Sequence, residues 1–180
     1  MEIADAQRDV RETFMGGFAG QLVSAVLWCG SAAIGTWHSL RLAQLVLVLG
    51  GFFIFPFTQL LLRSMGHPYS LPKGHPMNAL GIQVAFTLPL TLPLVIGITA
   101  LHPAWFYPAF MIALGAHYLP FIFMYGMWQF GVLSATLIAS GIAIVYVPTP
   151  VTLGAWLTAS LLFIFAFIGR RAARPESPAS

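Results

Sequence analysis

The sequence predicts an all-α integral membrane bundle of about six transmembrane helices, with a short amphipathic helix before the first span. Of its 180 residues, 58% are hydrophobic and only 7% are charged, against about 25% charged in soluble domains. The eight basic and five acidic side chains all flank the long apolar stretches, because an ion at bilayer depth costs several kcal/mol. Six such stretches, each near the roughly 20 residues needed to cross a membrane, fill most of the chain.

Residues 1–13 are predicted to form an amphipathic N-terminal helix. Ala6 and Val10 lie on an apolar face, while acids recur at helical spacing on another face. Arg8 and Glu12 stand four residues apart and are expected to pair. Because no helix breaker precedes the first span, we expect this helix to run into that span or to lie on the membrane surface beside it.

A transmembrane domain is predicted over residues 14–169. Its six spans are residues 14–35, 40–62, 79–101, 104–123, 128–146 and 151–168. The longest connection, 64–78, contains three prolines, which bar a helix there. The basic segment 170–180 is expected to be a disordered cytoplasmic tail.

Basic residues predict the orientation of the bundle. With six spans, seven of them share the side of both termini: Arg8, Arg11, Arg63, Lys73, Arg170, Arg171 and Arg174. Arg41 alone lies on the other side. Since cytoplasmic loops carry the excess of Lys and Arg, we expect both termini in the cytoplasm.

The sequence carries no familiar catalytic signature. It contains no zinc-ligand pattern, phosphate-binding loop, nucleophile elbow or pair of acids. We therefore expect no catalytic residue, no metal and no cofactor. The net charge of +3 comes from residues that flank spans rather than from a basic patch, so we expect the lipid bilayer, and not nucleic acid, as the partner.

Few polar side chains lie within the spans. We predict Gln59, Gln83, His117 and Tyr118 as ligand-binding residues. His117 could bind a ligand or relay a proton; alternatively it is a structural histidine, hydrogen-bonded to Gln59, Gln83 or a free backbone carbonyl. No carboxylate lies near the middle of a span, which disfavours coupling to protons or sodium ions.

Helix-breaking residues interrupt three neighbouring spans. They are Gly50, Gly51 and Pro56 in the second span, Pro89 and Pro93 in the third, and Pro108 and Pro120 in the fourth. Broken helices often line solute sites in transporters. Simple kinks are the alternative interpretation.

Small residues recur every four positions in two spans, and we predict them as helix-packing residues. They are Gly16, Gly20 and Ser24 in the first span, and Gly131, Ala135 and Ala139 in the fifth. Small side chains let helix backbones approach closely. The packing can lie within one subunit, against a second copy or against a partner membrane helix.

Four segments together resemble a family of small bacterial six-span integral membrane proteins of unknown function. They are residues 6–28 (AQRDVRETFMGGFAGQLVSAVLW), 50–56 (GGFFIFP), 74–81 (GHPMNALG) and 115–126 (GAHYLPFIFMYG). The resemblance implies a bacterial inner membrane and the six-helix architecture. It brings no catalytic or binding residue.

Two functions from different classes fit these patterns. The first is a channel or transporter for a small, mostly neutral solute, which requires the predicted polar residues to converge on one cavity. The second is a non-catalytic accessory or assembly protein that acts through helix packing, which requires the small-residue seams to face lipid.

Overall fold

The computed structural model describes residues 2–173, so residues 174–180 of the predicted tail lie outside the described part. All regular structure in this part is helical, which confirms the all-α prediction. The helices are α1 Ile3–Thr13, α2 Phe18–Trp37, α3 Leu40–Gly51, α4 Ile54–Ser64, α5 Met77–Leu101, α6 Phe106–Tyr125, α7 Gln129–Tyr146 and α8 Leu153–Ala172. Short 3-10 turns, Met15–Gly17 and Pro103–Trp105, precede α2 and α6.

Five helical segments, containing α2, α5, α6, α7 and α8, are each long and apolar enough to cross a membrane. The predicted second span is broken into α3 and α4, which meet at an angle of 62°. Gly50 and Gly51 weaken the helix before the break, and Pro56 follows within the first turn of α4. Within residues 2–173, the candidate membrane-crossing segments number five, or six if the bent pair is one span.

The core is built from α2, α6, α7 and α8. Helix α2 packs against α8, α6 against α7, and α7 against α8. Trp28 of α2 packs on Phe110 of α6 with ring centroids 5.3 Å apart, and Ser31 Oγ lies 2.9 Å from Tyr107 Oη. Helices α3 and α4 pack on α2, while α5 packs on α6. As a result α3 and α5 flank the core and face each other across a cleft.

The first predicted span differs from the structure at its start. Met15, Gly16 and Gly17 all have left-handed backbone conformations, with φ of 51°, 64° and 83°. Two glycines make this conformation accessible at little cost, and the chain turns sharply between α1 and α2. Helix α1 therefore does not run into the first span.

Helix α1 instead packs against the bundle end where α6 finishes. Gln7 Nε2 donates a 2.6 Å hydrogen bond to the carbonyl of Phe123, and Arg11 donates at 2.7 Å to the carbonyl of Tyr125. The Tyr125 carbonyl is in the last turn of α6, where a helix leaves carbonyls without a backbone partner, whereas the Phe123 carbonyl also accepts a 3.3 Å hydrogen bond from the Gly126 backbone. The predicted pair of Arg8 with Glu12 is wrong, because Arg8 pairs with Asp5 at 2.7 Å.

The loop between α4 and α5 lies at the same end as α1. His75 is buried, with Nδ1 accepting a 3.2 Å hydrogen bond from the Met77 backbone. Its Nε2 is 3.4 Å from a carboxylate oxygen of Asp9 in α1. The basic residues near this end are Arg8, Arg11, Arg63, Lys73, Arg170 and Arg171. Arg41, in the first turn of α3, lies at the opposite end.

Candidate functional site

The four predicted ligand-binding residues do not form one cluster. His117 and Tyr118 are neighbours on α6, with ring centroids 5.7 Å apart. Gln83 is exposed on α5, and Gln59 is half-buried on α4. In the described part of the chain neither glutamine is hydrogen-bonded to His117. The four residues were predicted to bind a ligand together, but the structure does not bring them to one site.

His117 joins α5 to α6. Its Nδ1 lies 2.7 Å from Thr87 Oγ1, and Thr87 Oγ1 donates its one proton to the carbonyl of Val84 at 2.7 Å. With the threonine proton in that bond, the imidazole donates to the hydroxyl from Nδ1; in the other tautomer, Nδ1 accepts the threonine proton instead. The partner of His117 is thus a threonine rather than Gln59 or Gln83.

Tyr118 is buried in an aromatic cluster between α6 and α7. Its ring stacks on Phe130 at a centroid distance of 6.0 Å and packs edge-on against Phe121 at 5.2 Å. Tyr125 also stacks on Phe121, at 5.7 Å. Aromatic pairs of this kind contribute about 0.5–1.5 kcal/mol of stability beyond that from the area they bury. This cluster therefore stabilises the packing of α6 on α7.

The small residues of the first seam point into the bundle. Gly16 lies in the turn before α2, not in the helix as its spacing predicted, and its backbone touches Gly169 of α8. Gly20 faces Thr58 of α4, and Ser24 is buried. This seam packs within the subunit.

The second seam is divided. Gly131 faces Ile122 of α6, whereas Ala135 and Ala139 are exposed on the outer side of α7. The face of α7 that packs on α6 instead carries Ser134, whose hydroxyl donates to the carbonyl of Gly115 at 2.7 Å. The two alanines are therefore not needed for packing within this chain.

A crevice between α2, α7 and α8 contains two glutamine oxygens, Gln21 Oε1 and Gln129 Oε1. Both are shielded from solvent and have no hydrogen-bond partner in the described part of the chain. The crevice has no room for a water molecule. It is a packing gap and offers a solute no space.

A larger cleft lies at the opposite end of the bundle from α1, between α3 and α5. Its volume is about 580 Å³, within the usual range of small-molecule sites. It is lined by Ser39, Leu40, Arg41, Gln44, Thr99, Ala100 and Pro103. None of the four predicted ligand-binding residues is among them.

The local sequence explains the polar wall on α3. The Ser39 side chain caps this helix by accepting a hydrogen bond from the Leu42 backbone at 3.4 Å. Arg41 therefore lies in the first turn, and Gln44, three residues later, shares its helix face. On the other wall, Thr99 Oγ1 donates at 2.7 Å to the carbonyl of Val95 within α5.

The unpaired groups of this wall are hydrogen-bond donors. Within residues 2–173, no carboxylate lies within 4.0 Å of the Arg41 guanidinium. Gln44 Nε2 is shielded from solvent and has no partner in the same part of the chain. The cleft thus offers the positive charge of Arg41 to whatever enters it, whereas the amide nitrogen of Gln44 is not accessible from the cleft.

Sequence reasoning missed this cleft, although a signal for it was present. Arg41 is the one charged residue on its predicted side, and Gln44 follows it at helical spacing. The positive-inside rule uses Arg41 only as a marker of topology. The sequence does not show that the end of α5, 55 or more residues after Gln44, forms the other wall of the cleft.

The described residues contain no group of three or more histidine, cysteine or acidic side chains that could hold a metal ion. His75 comes nearest to a cluster, because the fold brings Asp9 to it. Cys29 is exposed on α2. Nothing in this geometry provides a set of metal ligands.

Comparison with known proteins places this arrangement in a family. No curated protein and no solved structure matches the chain. The match is to the family described as "Family of unknown function (DUF7010)", and it covers residues 3–171, from the first residue of α1 almost to the end of α8. The chain belongs to this family.

Proposed function

We propose that this chain is a six-span protein of a bacterial inner membrane, with both termini in the cytoplasm, that moves a small solute across the bilayer. The observation that carries the proposal is the cleft between α3 and α5, about 580 Å³ in volume. Transport remains the better of the two functions because this cleft opens beside the broken span. This cleft, however, is lined by Arg41 and Gln44 and not by His117.

The charge distribution supports the proposed orientation. The end covered by α1 carries most of the basic side chains, and the cleft end carries Arg41. Under the positive-inside rule the α1 end faces the cytoplasm. Trp37 and Trp105, close in sequence to the cleft residues Ser39 and Pro103, then lie at the outer interface, where aromatic residues are enriched.

Helix α5 is the element best able to move. Of its 25 residues only Met77, Val84 and Val95 are buried, and it packs mainly on α6. It contains Pro89 and Pro93, each of which removes a backbone hydrogen bond. Elements with few buried contacts open at the lowest free energy. A shift of α5 away from α3 would lengthen the cleft towards the cytoplasm.

The test is osmotic swelling of proteoliposomes with glycerol or urea as the permeant solute. We expect faster swelling than in protein-free liposomes, and we expect Ala100→Trp, which fills the cleft from an exposed position, to slow it. Leu94→Trp is the matched control, since Leu94 is also exposed on α5 but lies on another face of the helix and is not a lining residue of the cleft. Equal swelling of liposomes with and without protein, for both solutes, would contradict transport of neutral solutes.

A second candidate function rests on the exposed alanines of α7. Ala135 and Ala139 face outwards at a spacing of four residues, an arrangement that allows a second helix to approach closely. In this case the protein is an accessory subunit that packs on a partner helix. Native mass spectrometry of Ala139→Leu, with the equally exposed Ala85→Leu as control, tests it. Loss of a partner only in Ala139→Leu favours this function, and identical spectra contradict it.

A further inference from the structure

We propose that His75 and Asp9 form a pH-sensitive link that holds helix α1 on the bundle more firmly when His75 gains a proton. This inference goes beyond the proposed function and does not depend on transport, because it concerns only the contact between α1 and the loop before α5. Histidine is the side chain that ordinarily changes charge between about pH 5 and 8. The position of His75, its hydrogen bonds and the charges around it lead to the proposal.

The loop backbone fixes His75 in place. The N–H group of His75 donates to the carbonyl of Pro72 at 3.2 Å, and its carbonyl accepts a 3.0 Å hydrogen bond from the Asn78 backbone. The Asn78 side chain also donates to the Pro72 carbonyl, at 2.9 Å. Only 2% of the His75 side chain is exposed. The imidazole is therefore held inside the protein by a closed turn of the loop.

The hydrogen bond from Met77 fixes the proton of the neutral ring. A backbone N–H can only donate, so His75 Nδ1, which accepts from Met77 at 3.2 Å, carries no proton. The one proton of a neutral imidazole is then on Nε2. Nε2 is shielded from solvent and makes no hydrogen bond in the described part of the chain, but a carboxylate oxygen of Asp9 lies 3.4 Å from it. The protonated nitrogen of neutral His75 is therefore the one beside Asp9.

Asp9 is the charged group that faces His75. Within residues 2–173 no other carboxylate lies within 4.0 Å of the imidazole, and no lysine or arginine lies within 4.0 Å of Asp9. The two arginines of α1, Arg8 and Arg11, are bonded to other groups. On the loop itself Lys73 is exposed, and helices α5, α6 and α7 contain no Asp, Glu, Lys or Arg. In this part of the chain, a protonated His75 is the cation available to Asp9.

Protonation changes both contacts of the ring. A proton on Nδ1 removes the acceptor of the Met77 N–H group, so this bond at the start of α5 is lost. On the other side the positive ring attracts Asp9, and the 3.4 Å separation can shorten towards the roughly 2.7–2.9 Å of a charged hydrogen bond. A shielded charge without a partner destabilises a fold, so the positive ring depends on Asp9. Acid therefore releases the first turn of α5 and tightens α1 on the loop.

Hydrogen–deuterium exchange of the purified full-length protein in an uncharged detergent tests the proposal. Exchange of backbone amides in residues 3–13 is measured at about pH 8 and about pH 5.5, and each rate is divided by that of an unstructured peptide at the same pH. We expect protection of α1 to rise about two- to fivefold at the lower pH, as for an ion pair with one partly exposed partner. Asp9→Asn and His75→Gln should abolish the rise. His67→Gln, a change at an exposed histidine of the same loop, is the control and should behave like the wild type.

The protonation state of His75 is measured separately, by nitrogen NMR of the wild-type protein with isotope-labelled histidine. The signals of His75 are those that are missing in His75→Gln. We expect a proton on Nε2 alone at about pH 8 and on both ring nitrogens at about pH 5.5. A ring that stays neutral at the lower pH overturns the proposal, as does α1 protection that does not rise in the wild type or that still rises in Asp9→Asn. Protonation of His75 together with a rise in protection that requires Asp9 supports it.

Discussion

The backbones of Gly16 and Gly169 are in direct contact, and this contact packs the start of α2 against the end of α8. A methyl group on Gly169 would lie 2.5 Å from the Gly16 carbonyl oxygen. Gly16 itself has a left-handed backbone, with φ of 64°, and so cannot move away without unwinding the turn. The contact depends on both residues lacking a side chain.

Gly169→Ala is therefore expected to destabilise the fold. The added methyl group must push the α2 turn away from α8, and overpacking of this kind costs about 1–3 kcal/mol. Gly97→Ala is the matched control, because Gly97 is also helical and a methyl group added there would meet no atom within 4 Å. Thermal unfolding in detergent measures both. An unchanged midpoint for Gly169→Ala would mean that the two helix ends separate easily.

The Thr87–His117 hydrogen bond predicts an energetic coupling between α5 and α6. Hydrogen bonds between transmembrane helices contribute about 0.6 kcal/mol on average and up to about 1.7 kcal/mol. We expect a coupling of this size from a double-mutant cycle of Thr87→Val and His117→Phe, measured by reversible unfolding in mixed micelles. Additive effects of the two substitutions would contradict a direct bond.

The same His117 variant separates a structural histidine from a functional one. If His117 only holds α5 to α6, the thermal midpoint falls while solute movement per folded molecule is retained. If His117 is a ligand-binding residue, as its position in the sequence predicted, solute movement is abolished at a temperature where the variant is still folded. Swelling assays on proteoliposomes with matched amounts of folded protein distinguish these outcomes.

Two side-chain hydrogen bonds to the end of α6 are expected to hold helix α1 in place. Gln7 and Arg11 donate to the carbonyls of Phe123 and Tyr125, and replacing them by leucine and methionine removes both bonds while keeping most of their bulk. Hydrogen–deuterium exchange should then become faster at backbone amides in residues 3–13. Glu12→Gln, an exposed change on the same helix, is the control. Unchanged exchange would show that apolar contacts of Ala6 and Val10 alone hold α1.

The sequence was sufficient to predict the all-α class of fold and the positions of the long apolar helices that could cross a membrane. The length of an apolar stretch and its lack of charged residues are both set by the hydrocarbon core of the bilayer. This surrounding acts on every residue of a span in the same way. The turn at residues 15–17 was missed because two consecutive glycines at the start of an apolar stretch are compatible with a helix that continues. Only the docking of α1 on α6 requires the chain to turn there.

The candidate site was less predictable. Gln59, Gln83 and His117 were predicted as ligand-binding residues because they are polar and lie within apolar spans. Their position along a span does not show which helices pack against each other. The pairing of α5 with α6 places His117 beside Thr87, and the pairing of α3 with α2 leaves Arg41 and Gln44 on the wall of the cleft. Those neighbours are set by long-range packing, for which periodicity within one helix carries no information.

The bent pair α3 and α4 leads to a prediction about topology. His75 of the following loop lies 3.4 Å from Asp9, which places that loop at the α1 end, whereas Ser39 begins α3 at the cleft end. The pair therefore reaches from one end of the bundle to the other despite its 62° bend. We accordingly expect it to cross the membrane once, and not to form a re-entrant loop.

Cysteine labelling in intact bacterial cells measures this crossing and the orientation together. Cys29→Ser removes the native thiol, and single cysteines are placed at the exposed positions His38 and Lys73. A membrane-impermeant maleimide should label His38→Cys in intact cells, because the cleft end is outside, and Lys73→Cys only after the cells are permeabilised. The opposite pattern would invert the orientation. Labelling of both cysteines in intact cells would place the two ends of the bent pair on one side, and the chain would then have five spans.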